Sequence, residues 1–189
     1  SKNRYEIKGF IMKTLNEYLK TYASFHTNKA NRMTHYFGIP MIIIAIIMLL
    51  NWFAITVGYT RIISFSWILV VVSLIFYYRL NFKIALLATI VMVPATLILN
   101  MLAGATPDPV VGFFILLLFA GGWILQLWGH QFEQNKPAFL TGAIQLLIGP
   151  LFFITEILDA LGLKEQVLEP EKTTAAANNS AAQTDQSAS

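Results

Sequence analysis

The chain has 189 residues, of which 56% are hydrophobic and only 12% charged, with a formal net charge of +3. A soluble globular domain carries about twice that charged share and the mean hydropathy here is +0.61, so the composition excludes an ordinary soluble domain and points to an integral membrane protein. Cysteine is absent, which excludes disulfides, iron–sulfur clusters and thiolate-ligated haem.

Residues 5–25 have the pattern of an amphipathic helix: Ile7, Phe10, Ile11, Leu15, Tyr18, Leu19, Tyr22 and Phe25 fall near helical spacing, with Lys8, Lys13, Glu17 and Lys20 elsewhere. Such a helix either lies in the membrane interface or packs against the body of the protein. The long apolar regime begins only near residue 36 and no small-residue cleavage pattern follows it, so a cleavable signal peptide is not expected. Five uncharged segments follow, at 38–60, 62–78, 84–107, 109–129 and 138–155. A crossing needs about 20 apolar residues, about 17 at the lower end, and each must be helical because lipid offers no partner to open backbone. The expectation is an all-α, polytopic helical membrane domain over 1–172. It comprises the amphipathic helix, four spans and a fifth segment, with Gln145 and the Gly149-Pro150 pair, that spans or re-enters. Pro94 is a second candidate kink. Residues 173–189 are small and polar, a composition expected to stay disordered.

Lys2, Arg4, Lys8, Lys13, Lys20, Lys29 and Arg32 precede the first segment, Arg79 and Lys83 follow the second, and Lys136 follows the fourth. The other side holds Arg61, and Asp108 in the turn between the third and fourth segments. The positive-inside rule then places the N-terminus in the cytoplasm. These bases serve as topology markers, and no nucleic-acid partner is expected.

All 3 histidines lie at the ends of apolar runs: His26 and His35 before the first, His130 after the fourth. Four crossings separate His35 from His130, an even number, so all three imidazoles belong at one face of the membrane, at similar depth. Nine residues separate His26 from His35, which on a continuous helix is about half a turn around the axis. For both to reach one point the chain must turn between them, with Asn28 and Asn31 as turn or cap residues and Asn31 or Thr34 capping the first span. His130 and Glu133, three apart, share one helical face, the spacing of a ligand pair or of a ligand and the carboxylate that orients it. Three imidazoles suit iron, zinc, copper or nickel, too few for the multi-histidine membrane di-iron enzymes. Two alternatives stand beside a metal site: a non-catalytic lipid-binding or scaffold protein with interfacial histidines, and a bis-histidine haem protein using His35 and His130. Transport is disfavoured, because polar residues within the spans are limited to Asn100 and Gln126, with Gln145 in the fifth segment.

At these residues the chain resembles the 2-hydroxy-fatty-acid dioxygenase family, small multi-span membrane proteins of fatty-acid α-oxidation. The family's first block is matched by Tyr22, His26, Asn31, Arg32, His35, Gly38, Ile39 and Pro40, its second by Gly129, His130, Glu133, Lys136, Pro137 and Ala138, and its last apolar segment by residues 145–151. Lys29 stands where many members have Pro, and the His130–Glu133 spacing is one residue shorter than in the yeast type, as in a bacterial branch. The resemblance implies Fe(II)-dependent oxidation of a 2-hydroxy fatty acid by O₂ to the acid one carbon shorter, with loss of CO₂. It implies His26, His35 and His130 as metal ligands and Glu133 as a fourth ligand or as the carboxylate that orients an imidazole. Asn31 would support the ligands, and Arg32 or Lys136 would hold the substrate carboxylate. Membrane lipids are the expected surroundings, a bacterial inner membrane being favoured over an endoplasmic reticulum.

Overall fold

The computed structural model describes residues 14–133 and 144–164. Its elements run α1 (Leu15–Ser24), α2 (Lys29–Asn51), β1 (Ala54–Val57), β2 (Thr60–Ser64), α3 (Phe65–Leu80), α4 (Phe82–Ala103), α5 (Pro109–Glu133) and α6 (Ile144–Ala160). The chain is mostly helical, as its composition requires. Among the described residues, three helices are long and apolar enough to cross a membrane: α2, α4 and the Pro109–Gln131 part of α5. The apolar α3 has 16 residues and α6 has 17. The expected polar tail at 173–189 lies outside the described residues, as does the 5–13 part of the amphipathic helix.

The structure corrects the all-helical expectation at one place. The first two apolar segments, expected as helices over 38–60 and 62–78, are separated by an antiparallel hairpin in which Ala54 pairs with Ser64 and Val57 with Thr60. Ile55, Thr56, Val57, Ile62 and Ile63 are β-branched and favour extended backbone, and Gly58, at φ 59°, supplies the left-handed residue of the turn. Hydropathy alone does not separate such a hairpin from a span.

Thr14 opens α1 with a capping box: its hydroxyl accepts from Glu17 N at 3.3 Å, and Glu17 Oε2 accepts from Thr14 N at 2.6 Å. Leu15, Tyr18 and Tyr22, the buried face of α1, join Tyr77 of α3, Ile84, Ala85 and Ala88 of α4, and Ile148, Leu151 and Phe152 of α6 in one core. The described part of the amphipathic segment thus packs one face against the body of the protein. Within α4 and α6, Pro94 and Pro150 are carried inside continuous helices.

The packing that positions the site is that of α2 on α5. Lipid gives two apolar helices no hydrophobic reason to associate, so close backbone approach through small residues must hold them. A Cβ on Gly38 would lie 3.0 Å from Gly122 O, and one on Gly122 would lie 2.7 Å from Ile42 Cγ1. Contacts between Gly129 and Asn31 at one end, and Gly112 and Trp52 at the other, make the pair antiparallel. At the Trp52 end the chain termini of the helices are tied by side chains. Asn51 Nδ2 donates to Asn100 O at 3.1 Å and Gly104 O at 2.8 Å, Trp52 Nε1 donates to Ala103 O at 3.0 Å, and Arg61 Nη1 donates to Ala105 O at 2.5 Å. Ser66 Oγ donates to Asn100 Oδ1 at 3.1 Å, so Asn100 belongs to this structural network.

Candidate metal centre

The histidines occupy three different settings in the chain and meet at one point. His26 sits in the turn after α1, His35 two turns into α2, and His130 near the end of α5. The turn required between His26 and His35 is present: α1 ends at Ser24 and α2 starts at Lys29. Its cap is a correction. Asn28, not Asn31 or Thr34, caps α2, its Oδ1 accepting from Ala30 N at 2.8 Å, while Thr34 Oγ1 donates back to Asn31 O at 2.8 Å within the helix. Replacing Asn28 with alanine should cost about 1 kcal/mol and loosen the angle between the His26 turn and α2. A lowered melting temperature at unchanged helix content would register it.

The ring centroids are 4.4 Å apart for His26 and His35, 4.9 Å for His35 and His130, and 5.3 Å for His26 and His130. One ligand nitrogen from each lies within 4.8 Å of the other two. The residues are only 3%, 5% and 6% exposed, respectively, in the order His26, His35, His130, so the three polar rings face one another out of contact with bulk solvent. The same device orients two of them. His26 Nδ1 lies 2.7 Å from Tyr22 O and His35 Nδ1 lies 2.9 Å from Asn31 O, each a carbonyl four residues back. A carbonyl only accepts, so Nδ1 carries the proton in each ring and Nε2 keeps its lone pair for a metal.

Asn31 is wholly buried and touches all three histidine segments. Its Nδ2 donates to Phe25 O at 3.1 Å, beside His26; its carbonyl takes the His35 proton; its Oδ1 would be 2.5 Å from a Cβ on Gly129, beside His130. It is a strut of the site, not a cap. Tyr22 stacks on His26, with centroids 4.2 Å apart and planes 8° from parallel, and Phe152 of α6 closes on both rings at 4.8 and 6.0 Å. Burial pushes the Tyr22 phenol above its ordinary range, keeping it neutral.

Arg32 is engaged by the protein itself. Its guanidinium pairs with the Glu156 carboxylate of α6, which also accepts from Tyr36 OH at 2.7 Å. This tie fastens α6, and with it Phe152, over the histidines. Tyr36 and Glu156 are additional to the residues the sequence points to; Glu156 is the first acid after the last apolar segment, the kind of position at which a carboxylate pairs with a nearby base. Glu133 ends α5, but its side chain lies outside the described residues, as does Lys136. The buried imidazoles with oriented lone pairs fit a divalent transition metal, which bonds imidazole nitrogen at about 2.0–2.1 Å in the case of zinc.

The model of the family described as 2-hydroxy-palmitic acid dioxygenase Mpo1-like matches residues 12–161. Neither the curated proteins nor the solved structures contain a match to the chain. The matched stretch takes in α1 through α6 and every histidine, and on that ground the chain belongs to the 2-hydroxy-palmitic acid dioxygenase Mpo1-like family.

Proposed function

We propose that this protein is a non-haem, Fe(II)-dependent dioxygenase that converts a 2-hydroxy fatty acid and O₂ into the fatty acid one carbon shorter, CO₂ and water. The observation that carries this reading is the convergence of three buried imidazoles, one ligand nitrogen of each within 4.8 Å of the others, in a chain whose family is described by a 2-hydroxy-palmitic acid dioxygenase. The reaction balances in atoms and electrons with no added reductant: RCH(OH)COOH and O₂ become RCOOH, CO₂ and H₂O. His26, His35 and His130 would hold the ion, which when bound supplies Lewis acidity and the one-electron chemistry that O₂ requires.

The chain's own residues do the rest. The carbonyls of Tyr22 and Asn31 keep two imidazoles in the Nε2-ligating tautomer. Tyr22 and Phe152 cover the His26 ring and keep water from it. Arg32, although paired with Glu156, is 39% exposed in its side chain, and its remaining guanidinium N–H groups would meet an incoming carboxylate at the edge of the site. Lys136 would add a second, and Glu133 would ligate the ion or orient His130. The rings of His35 and His130, 4.9 Å apart and edge to face, leave no slot for a porphyrin between them, which favours a non-haem ion over the haem reading.

The topology we assign uses α2, α3, α4 and α5 as four crossings, with the histidines and the N-terminus at the cytoplasmic face of a bacterial inner membrane. A 16-residue α3 rises about 24 Å, and thinning or snorkelling makes up the rest of a core about 30 Å thick. An acyl tail would lie among the apolar helices while its head group reaches the interface.

The test is purification in detergent with metal analysis, followed by anaerobic addition of 2-hydroxypalmitate and then O₂. The expected result is stoichiometric iron without a Soret band, and release of the acid one carbon shorter with one CO₂ per turnover. A purified, folded protein that holds no iron, or that leaves the hydroxy acid intact with iron bound, would overturn the proposal.

A further inference from the structure

Among the described residues, Gln126 is a buried polar side chain that neither the structural networks nor the proposed site accounts for. It lies within the apolar α5, is 7% exposed, and its Nε2 has no hydrogen-bond partner among the described residues. Asn100, the other amide expected within the spans, lies at the opposite end, where its Oδ1 accepts from Ser66 Oγ. An unmet amide donor inside a membrane-spanning helix is costly, and a leucine or methionine of similar volume would avoid that cost. A buried donor left unmet at that cost calls for an acceptor that arrives with a ligand.

Its position says which ligand atom. Gln126 and His130 are four residues apart on α5 and share a face, with about 5–6 Å between such Cβ atoms. The amide lies against α2, where a Cβ on Gly38 would be 3.1 Å from Gln126 Nε2. Gly38 is in turn three residues beyond His35, on the same face of α2. Gln126 and Gly38 therefore form the next layer inward from the layer of His35 and His130, toward the middle of the membrane, and the missing side chain of Gly38 is what gives the amide room. An acid whose carboxylate is held at the histidine layer, with its tail running inward, presents C2 as the first carbon past the carboxylate. The oxygen on C2 has two lone pairs and can accept from an amide while its other pair is engaged elsewhere.

We infer that Gln126 reads the 2-hydroxyl of the substrate, its amide donating to that oxygen and so distinguishing 2-hydroxy acids from unsubstituted fatty acids. This rests on the dioxygenase reading and names its specificity residue. A site that hydrogen-bonds a substrate hydroxyl rejects the analogue lacking it, because its own buried donor is then left unmet.

The experiment measures equilibrium binding of 2-hydroxypalmitate and of palmitate to the iron-loaded protein in detergent without O₂, for the wild type, Gln126→Met and Gln126→Leu. Iron content and melting temperature are read on the same samples. The expected result is that both variants keep their iron and melt at or above the wild-type temperature, while the preference for the hydroxy acid falls about tenfold, through weaker binding of the hydroxy acid alone. Undiminished preference in iron-replete variants would overturn the inference and leave the dioxygenase reading standing. Collapse of the fold in both variants would make the amide a packing element and overturn it too. A wild type that binds no iron and ignores the hydroxyl would take the dioxygenase reading down with it.

Discussion

Alanine at any one of His26, His35 or His130 is expected to lower iron affinity by at least about 100-fold and to abolish turnover. Loss of a partner that merely orients a ligand costs about 10–100-fold in metal affinity or activity, and removal of a ligand itself should cost no less. The three positions should behave alike although they lie in different elements, because the rings are mutually in contact, at 4.4 to 5.3 Å between centroids. Asn31→Ala should be milder and partial, since the His35 acceptor is a backbone carbonyl that survives the substitution, while the tie to Phe25 O is lost. Iron content after desalting, measured beside helix content by circular dichroism, separates these outcomes from unfolding. Full iron retention in a folded His130→Ala protein would remove His130 from the centre and with it the three-histidine assignment.

Much of this centre is legible in the sequence because it follows from two periodicities. An even number of apolar segments between His35 and His130 leads to the expectation that the two share one side, and the nine-residue step from His26 to His35 demands a turn, which α1 ending at Ser24 and α2 starting at Lys29 supply. What the pattern does not carry is lateral: which helix lies beside which. The antiparallel contact of α2 with α5 is encoded in Gly38, Gly122 and Gly129, and the seven-residue step between the last two marks a single helical face. That stripe is a recognisable signal of close helix approach, yet it names no partner helix. The Arg32–Glu156 pair joins residues 124 apart in sequence, and only the seating of α6 makes them neighbours. The hairpin of β1 and β2 escapes for a different reason. Its Ile55, Val57, Ile62 and Ile63 continue the flanking apolar runs, and their β-branching, the turn glycine and Arg61 are what tell the hairpin from a span.

Gly129→Ala is expected to be the most damaging substitution of a single hydrogen by a methyl group anywhere along α2 and α5. The new Cβ would lie 2.2 Å from Thr34 Oγ1, 2.5 Å from Asn31 Oδ1 and 3.2 Å from His35 Nδ1. Thr34 Oγ1 is held by Asn31 O at 2.8 Å, and Asn31 is pinned through its own Nδ2, so the crowded atoms are not loose ends that can swing aside. Relief requires α2 and α5 to move apart at the level of the histidines. Overpacking of this kind typically costs about 1–3 kcal/mol, and here the separation would act on the ligand atoms as well, drawing His130 away from His35. The expected result is a lowered melting temperature together with iron binding weakened by at least about tenfold, in line with disturbance of groups that orient ligands. Gly112→Ala is the control on the same helix. Its Cβ would meet only Trp52 Cη2, at 3.5 Å, an ordinary contact, and in a helix interior alanine is preferred over glycine by about 1 kcal/mol. That variant should be neutral or stabilising and fully iron-replete. Equal behaviour of the two variants would mean that the close approach of α5 to Asn31 and Thr34 does not shape the metal centre.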